Sequence, residues 1–266
     1  MRLILVDRLT EKRANFYPLA LSRPVFELRC GMTSLAEKLI AKTRATDVAC
    51  FVPPYLAEVY RTKTRWPVND TASLRGDDLL VVHARVKADQ LNIPLAGPSE
   101  MALDDDGDVL YARIAKSDLA KLKTESIDTF LDSAKIALPQ ANRSVATWNY
   151  TWELVLANSA QLTADFFAIG RSGSEGTIEE PSAIRGSRNN VYVAPGVTVH
   201  PMVVIDAEHG PVYLDEGAVI PFLRDRAVPI TASSPYLSSL RGGAKFIKGG
   251  EPRIQGDKEG STHWSR

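Results

Sequence analysis

Cysteine and long apolar runs are both scarce in this chain. The 266-residue sequence has two cysteines, Cys30 and Cys50, and no Cys-x-x-Cys pair. This count excludes a disulfide framework and a cysteine-rich zinc site. The apolar run from Leu3 to Val6 is too short for a signal peptide, and no later run approaches the length that spans a membrane. We therefore expect a cytoplasmic protein that has no membrane partner.

An excess of charge of either sign is also lacking. Lys plus Arg total 32 and Asp plus Glu total 32, so the formal net charge is zero. Proteins that bind nucleic acid usually carry a basic excess that neutralises phosphates. The balance therefore favours small-molecule ligands over DNA or RNA. Hydrophobic residues make up 44% of the chain, which is enough to bury an ordinary globular core.

Apolar runs and helical patterns alternate in the first part of the chain. Leu3–Val6, Asp47–Val52 and Asp78–His83 have the length and composition of strands that are covered on both faces. Pro54–Thr62 is a predicted helix, and Ser34-Leu-Ala-Glu37 has the form of a capping box that begins another. This alternation predicts an α/β layered domain.

Acidic residues cluster in Asp104-Asp-Asp-Gly-Asp108. An EF-hand loop would place Gly107 sixth and Ala102 first, and alanine has no side-chain oxygen to offer calcium. We therefore predict an Asp-Gly hairpin turn. Helical spacing follows over residues 117–138 and again over Thr151–Phe167. The apolar side of the second helix is predicted to carry Trp152, Val155, Leu156 and Leu162.

The residue pattern of the sequence changes after residue 170. The glycine-rich stretch Gly170–Gly176 follows no strand and begins no helix, so it is predicted to be a linker. Beyond it, apolar residues recur at a spacing of six, as in β-helix coils. The predicted organisation is a domain over 1–170, a linker over 171–190, β-helix-like coils over 191–220 and an irregular tail over 221–266.

Basic residues gather near the first strand–loop–helix junction. Arg23, Arg29 and Lys38 lie there, while His83 and Arg85 lie at the end of a later strand. Ligands of open α/β sheets bind at the carboxyl ends of strands. The transfer of a nucleotidyl group needs cations that gather phosphates and a divalent metal that bridges them. Because neither a Walker A motif nor a full Gly-x-Gly-x-x-Gly is present, these residues alone leave the ligand unidentified.

Three motifs, in order along the chain, resemble a known group. They are Leu19-Ala-Leu-Ser-Arg-Pro-Val-Phe-Glu-Leu-Arg-Cys-Gly-Met-Thr-Ser-Leu-Ala-Glu-Lys38, Asn149-Tyr-Thr-Trp-Glu-Leu-Val155 and Val204-Ile-Asp-Ala-Glu-His-Gly-Pro-Val-Tyr213. Together they resemble divergent bacterial GlmU-like proteins, which are sugar nucleotidyltransferases of the N-acetylglucosamine 1-phosphate uridylyltransferase type. The resemblance implies a nucleotide-diphospho-sugar transferase-like (Rossmann-like) three-layer α/β domain, followed by a short left-handed β-helix fragment.

The same resemblance implies a reaction and a set of residues. A nucleoside triphosphate, expected to be UTP, and a sugar 1-phosphate would give a nucleotide sugar and pyrophosphate, with Mg²⁺ as cofactor. Arg23 and Lys38 would be catalytic. The residues implied to bind the nucleotide and the sugar phosphate are Arg29, Gly31, Arg85 and Glu153. The metal ligands stay unassigned, and a homo-oligomer is compatible with the resemblance.

This chain also departs from the group's pattern. Thr151 and Glu153 replace the usual proline and aspartate, and the hexapeptide pattern stops near residue 220. One hypothesis is a shortened gene product with an altered reading frame near residue 221. Two alternative functions stay open. One is a catalytically silent sugar-nucleotide-binding or assembly module. The other is a β-helix acyltransferase fragment that would use His200 or His209, which the small number of coils disfavours.

Overall fold

The computed structural model describes residues 1–141 and 143–220, together with the backbone of 245–247. The chain forms two compact units, Met1–Gln161 and Leu162–Arg266. Apart from the backbone of 245–247, the predicted irregular tail lies outside the described residues. Within the described residues, no helix is both long enough and apolar enough to cross a membrane.

The first unit contains one five-stranded sheet. Its strands are β1 (Arg2–Val6), β2 (Val48–Phe51), β3 (Leu79–His83), β4 (Glu100–Leu103) and β5 (Val109–Ile114). The strand order is β2-β1-β3-β5-β4. Strand β1 pairs in parallel with β2 and β3, while β5 runs antiparallel to β3 and β4.

Helices cover both faces of this sheet. They are α1 (Glu11–Ala14), α2 (Leu19–Ser22), α3 (Leu35–Thr43), α4 (Pro54–Lys63), α5 (Ile127–Ala137) and α6 (Thr151–Ile169), with 3₁₀ helices at Val25–Glu27, Thr71–Leu74, Ala88–Gln90 and Lys116–Lys121. On one face Leu3 and Leu5 share a core with Leu39 of α3. On the other, Ile4 shares a core with Phe130 of α5. Because every side chain of β1 from Leu3 onward is buried, the strand reads as a continuous apolar run. The α/β prediction is confirmed.

Local sequence signals account for several boundaries. The capping box is confirmed at α3, where the Ser34 hydroxyl accepts from the Glu37 amide at 3.2 Å and the Glu37 carboxylate accepts from the Ser34 amide at 2.7 Å. The hairpin is confirmed between β4 and β5. There the Asp104 carboxylate accepts from the amides of Asp106 and Asp108, and Gly107 adopts a φ of 79°.

The second unit is built from short strands. They are β6 (Gly173–Ser174), β7 (Thr177–Ile178), β8 (Ala183–Arg185), β9 (Val191–Val193), β10 (Thr198–Val199), β11 (Val204–Asp206), β12 (Val212–Leu214), β13 (Val219–Ile220) and β14 (Lys245–Ile247), with a 3₁₀ helix at Arg188–Asn190. The strands form three parallel stacks, β6-β9-β12-β14, β7-β10-β13 and β8-β11. The chain visits the stacks in turn, and stacked residues such as Glu179 and His200 are 21 positions apart.

The structure corrects the predicted linker over 171–190, because β6, β7 and β8 lie within it. Glycine there permits close packing rather than flexibility. A Cβ atom on Gly176 would lie 2.6 Å from the Ala194 carbonyl oxygen and 2.7 Å from that of Val197. A Cβ atom on Gly186 would lie 2.8 Å from the Ala207 backbone. These contacts join residues that are distant in sequence, so composition alone did not reveal them.

The structure also corrects the predicted apolar side of α6. Trp152, Val155 and Leu156 are exposed, so the prediction is confirmed for Leu162 alone, which is buried. Leu154, which the prediction left out, is buried as well. Apolar residues occupy both sides of this helix, so helical spacing did not select the side that packs. The buried row begins at Leu154, two positions after the exposed Trp152.

Candidate active site

Buried polar side chains collect at the carboxyl ends of β1 and β3. Asp7 follows β1, His83 ends β3, and Arg85 lies two residues further on. In the described part of the chain, three buried side-chain atoms lack a hydrogen-bond partner: Thr10 Oγ1, His83 Nε2 and Arg85 Nε. All three belong to the segments that follow β1 or end β3. Unpartnered polar groups of this kind are costly to bury, so their concentration at one sheet edge indicates a place for a polar ligand or water.

Arg85 lies at the centre of a charged network. Its Nη2 donates to Asp104 Oδ2 at 3.1 Å, and its Nη1 donates to Asn149 Oδ1 at 3.3 Å. Lys12 Nζ lies 2.8 Å from the same Asp104 oxygen. We call Lys12, His83, Arg85, Asp104 and Asn149 the edge cluster. The cluster holds two cations around Asp104, and Lys12 also pairs with Asp106, whose Oδ2 lies 2.5 Å from Nζ.

The charge state of Asp104 follows from these contacts. Burial raises its pKa, but the hydrogen bonds from Lys12, from the Asp108 amide and from Arg85 outweigh burial and lower the pKa to about 2. Asp104 is therefore a carboxylate at neutral pH. Its two oxygens are both engaged, one by the two cations and the other by backbone amides of the hairpin.

A pH-dependent stabilisation by Asp104 is the first testable consequence. Since its pKa in the folded state lies below the ordinary 3.8, the stabilisation is complete above pH 4 and is lost as the pH falls toward 2. We expect the stability difference between the wild type and Asp104→Asn to shrink by about 2 kcal/mol over that interval. Urea unfolding at successive pH values measures it. Asp105→Asn, at an exposed position in the same turn, is the matched control, and an equal pH dependence in both variants would contradict the assignment.

His83 is a neutral buried donor. Its Nδ1 accepts a hydrogen bond from the Arg85 amide at 3.2 Å. Burial, reinforced by the positive charge of Arg85, lowers the pKa of His83 to about 3. The neutral ring therefore carries its proton on Nε2, the atom that lacks a partner among the described residues. His83 therefore cannot supply a positive charge at neutral pH.

Asp7 forms a buried ion pair instead of facing the ligand side. Both of its carboxylate oxygens lie 3.1 Å from Arg13 Nε, and each side chain is 1% exposed. Asp7 also accepts from the Val25 amide at 3.1 Å, and Arg13 donates to the Ala20 carbonyl. Burial raises the pKa of Asp7, while Arg13 opposes this shift. The pair fixes the segment around residues 20–25 against the end of β1.

The segment from Arg23 to Lys38, which is predicted to bind the nucleotide, lies partly on the surface. Arg23 is exposed directly after α2, and Arg29 is exposed and donates to the Met32 carbonyl at 3.1 Å. Gly31 adopts a φ of 86°, and its amide donates to Asn158 Oδ1 at 2.8 Å. Lys38 is half-buried in α3. Residue 31 thus turns the loop onto α6, in a backbone conformation that favours glycine.

Arg85 and Glu153 are connected by hydrogen bonds to a shared residue, Asn149. Asn149 accepts from Arg85 through its side chain, and its amide donates to Glu153 Oε2 at 3.0 Å. Among the described residues, neither Arg23 nor Arg29 shares a hydrogen bond or an ion pair with Arg85 or Glu153. The predicted site residues therefore fall into two groups, one on the loop and one at the sheet edge.

Comparison with known proteins decides the family. The family model for sugar nucleotidyl transferases matches residues 3–173. The chain belongs to this family. Solved structures also match the chain, among them a Bacillus anthracis protein that bears the name glucose-1-phosphate thymidylyltransferase, in complex with a sucrose. That protein is 10% identical, with a TM-score of 0.36, and the match covers 60% of this chain and 94% of that chain. No curated protein matches.

The sequence pattern does not single out two residues of the edge cluster. Lys12 lies in a four-residue helix that has no periodicity to interpret. The predicted hairpin turn already accounts for an acidic residue at position 104. Their contact joins positions 92 residues apart, and it depends on the strand order that places the β4–β5 hairpin beyond β3. His83 and Arg85 were found because they end an obvious strand.

The carboxylates of the edge do not fit a preformed Mg²⁺ site. Asp7 is occupied by Arg13, Asp104 by Lys12 and Arg85, and Glu153 by the Asn149 amide. Among the described residues, no group of three or more His, Cys, Asp or Glu side chains could hold a metal ion. Mg²⁺ prefers free carboxylate and phosphate oxygens. The protein groups that can face a ligand here are donors and cations.

Proposed function

We propose that this protein transfers a nucleotidyl group from a nucleoside triphosphate to a sugar 1-phosphate, releasing pyrophosphate and a nucleotide sugar. The proposed substrates are UTP and N-acetylglucosamine 1-phosphate. The observation that carries the proposal is the set of unpartnered polar atoms at the carboxyl ends of β1 and β3, in a chain whose residues 3–173 match the family. The support for this particular base and sugar is the resemblance of the motifs at Leu19–Lys38 and Asn149–Val155.

Each proposed residue has a role that needs no covalent chemistry from the protein. A phosphate oxygen of the sugar phosphate attacks the α-phosphorus, and the bond to the β-phosphate oxygen breaks so that pyrophosphate leaves. We assign Arg23 and Lys38 to the stabilisation of the charge that develops on the phosphates. Arg29 and the turn at Gly31 would shape the nucleotide site. Arg85 would bind the substrate, while Glu153 orients Asn149 beside it.

Further parts of the proposal concern the metal and the second unit. Sugar nucleotidyl transferases generally depend on Mg²⁺, but the roles proposed here belong to protein side chains alone, since the edge carboxylates are engaged. We also propose that the parallel stacks over 173–220 are the start of a left-handed β-helix, that 1–170 is the catalytic domain, and that the protein is cytoplasmic. Four of the strand pairings in these stacks join residues 21 positions apart, and this repeat supports the β-helix.

A second candidate is a catalytically silent module that binds sugar nucleotides. The engagement of Asp7 and Asp104 by internal cations favours it, because neither carboxylate is free to act on a substrate. Pyrophosphate release separates the two candidates. The purified protein, supplied with Mg²⁺, UTP and N-acetylglucosamine 1-phosphate, should release pyrophosphate if the first proposal holds. Nucleotide binding without any release, across several bases and sugar phosphates, would favour the silent module.

The replacement Lys38→Ala tests the loop. A half-buried surface cation contributes little packing, so we expect the affinity for triphosphate to fall about tenfold while the free energy of unfolding changes by less than about 0.5 kcal/mol. Isothermal titration with UTP and urea unfolding measure the two quantities. Lys42→Ala is the matched control, because Lys42 is exposed on the same helix. If Lys38→Ala unfolds the protein, Lys38 is structural and its assignment to the site fails.

A further inference from the structure

Two exposed aromatic rings lie at the start of α6, next to the edge cluster. Tyr150 and Trp152 are 38% and 56% exposed. Their rings are stacked, with centroids 4.1 Å apart and planes at 13° to each other. Two large side chains in this arrangement form a flat and rigid apolar surface. Nothing in the roles assigned to the loop or to the edge cluster uses this surface.

The chain around this pair is tied directly to the proposed substrate site. Asn149, which precedes Tyr150, accepts from Arg85 at 3.3 Å and donates through its amide to Glu153 at 3.0 Å. Thr151, between the two rings, donates through its hydroxyl to the Asn15 carbonyl at 3.2 Å. Asn15 follows α1, the helix that carries the lysine of the edge cluster. The rings are therefore held in place beside the edge cluster, which includes Arg85 of the proposed substrate site.

The surroundings of the rings favour a flat apolar ligand. The next large side chains on the helix, Val155 and Leu156, are exposed and apolar. A sugar ring carries hydroxyl groups on its rim, which need polar partners, and this side of α6 supplies few. A nucleobase presents an apolar π-face, and bases stack on aromatic side chains whatever their identity.

We propose that the Tyr150–Trp152 pair is the platform on which the base of the nucleoside triphosphate stacks, next to Arg85 of the proposed substrate site. This inference rests on the proposed function and names the subsite for one of its substrates. Stacking of this kind is independent of charge, so it separates cleanly from the phosphate contacts. Loss of the platform should weaken the binding of nucleotides and leave the binding of ligands without a base unchanged.

Calorimetric titration of the full-length protein tests the platform. We expect Trp152→Ala to raise the Kd for UTP by about 5- to 150-fold, the range for the loss of one base–aromatic stack, while Trp152→Phe retains most of the affinity. The affinity for inorganic tripolyphosphate, and the KM for N-acetylglucosamine 1-phosphate, should not change. Ile136→Ala is the control, because Ile136 is an exposed apolar residue on α5, outside this surface.

The other outcomes overturn the proposal in distinguishable ways. If the wild type forms nucleotide sugar but Trp152→Ala binds UTP as tightly as Ile136→Ala does, the platform is wrong and the proposed function stands. If only the KM for the sugar phosphate rises, the ring that stacks is the sugar. If the wild type self-associates in sedimentation and Trp152→Ala abolishes this without any effect on UTP, the rings form a contact between copies. If the wild type neither binds UTP nor releases pyrophosphate, both proposals fail.

Discussion

Asp7→Asn is expected to lower the free energy of unfolding by about 3–5 kcal/mol, the range for the loss of one partner of a buried ion pair. The replacement leaves the Arg13 guanidinium charged, 1% exposed and without its counter-ion. It keeps the size of the side chain and one acceptor for the Val25 amide, so the lost charge accounts for most of the effect. Chemical denaturation with a fixed m-value measures the change.

An exposed ion pair supplies the control for this variant. Asp47 lies 2.8 Å from Arg2 Nε but is 49% exposed, so Asp47→Asn should cost less than about 1 kcal/mol. The double variant Asp7→Asn/Arg13→Met should recover part of the lost stability, because it removes the stranded charge. Equal losses from Asp7→Asn and Asp47→Asn would show that the buried pair does not hold the loop to β1.

The same variant probes the link between stability and function. The pair binds the Val25 amide and the Ala20 carbonyl, which flank the proposed catalytic Arg23. A folded fraction of Asp7→Asn at low temperature should therefore show a raised KM for the nucleotide, since the loop loses its anchor. In an ordinary open sheet, a carboxylate after the first strand would be expected to face the ligand. Here it is used to position the loop.

The strands of the first unit could be predicted because their signals are local. Leu3–Val6 and Asp78–His83 are apolar runs that need no partner to be recognised, and Ser34 and Glu37 are close enough in sequence to define a helix start. The packing side of α6 could not be predicted, since apolar residues lie on both of its sides. The strands within 171–190 were also missed, because the contacts around Gly176 appear only once the stacks have formed.

The candidate site also combines residues with local sequence signals and residues that only tertiary contacts reveal. Motif resemblance brought Arg85 and Glu153 into one prediction, and the structure joins them through Asn149. The same prediction omitted Lys12 and Asp104, whose contact requires the three-dimensional order of the sheet. The hairpin turn alone accounts for an aspartate at position 104, so the sequence gives no reason to assign this residue to a site. Asp104 therefore serves both as a turn residue and as the partner of Lys12 and Arg85, and only the tertiary structure shows the second role.

Arg85→Met is expected to reduce kcat/KM for nucleotide-sugar formation by about 10²- to 10³-fold, the usual cost of removing one preorganised donor from a reacting phosphate or oxyanion. Arg85 is almost fully buried, and its Nη atoms are held by Asp104 and Asn149, so its guanidinium lies in a fixed position. Methionine preserves most of the volume and removes every donor. Pyrophosphate release under saturating and limiting UTP separates kcat from KM.

A second buried arginine distinguishes a loss of chemistry from a loss of fold. Arg113 is buried on β5 and pairs with Glu100 at 3.2 Å, so Arg113→Met should destabilise the protein to a comparable degree. Because Arg113 is held by Glu100 and by the Pro98 carbonyl, it belongs to no group assigned to the substrate. At a temperature where both variants are folded, only Arg85→Met should lose activity. If both lose activity in proportion to their stability, Arg85 is a structural residue, and the site must be sought at the loop of Arg23 and Lys38.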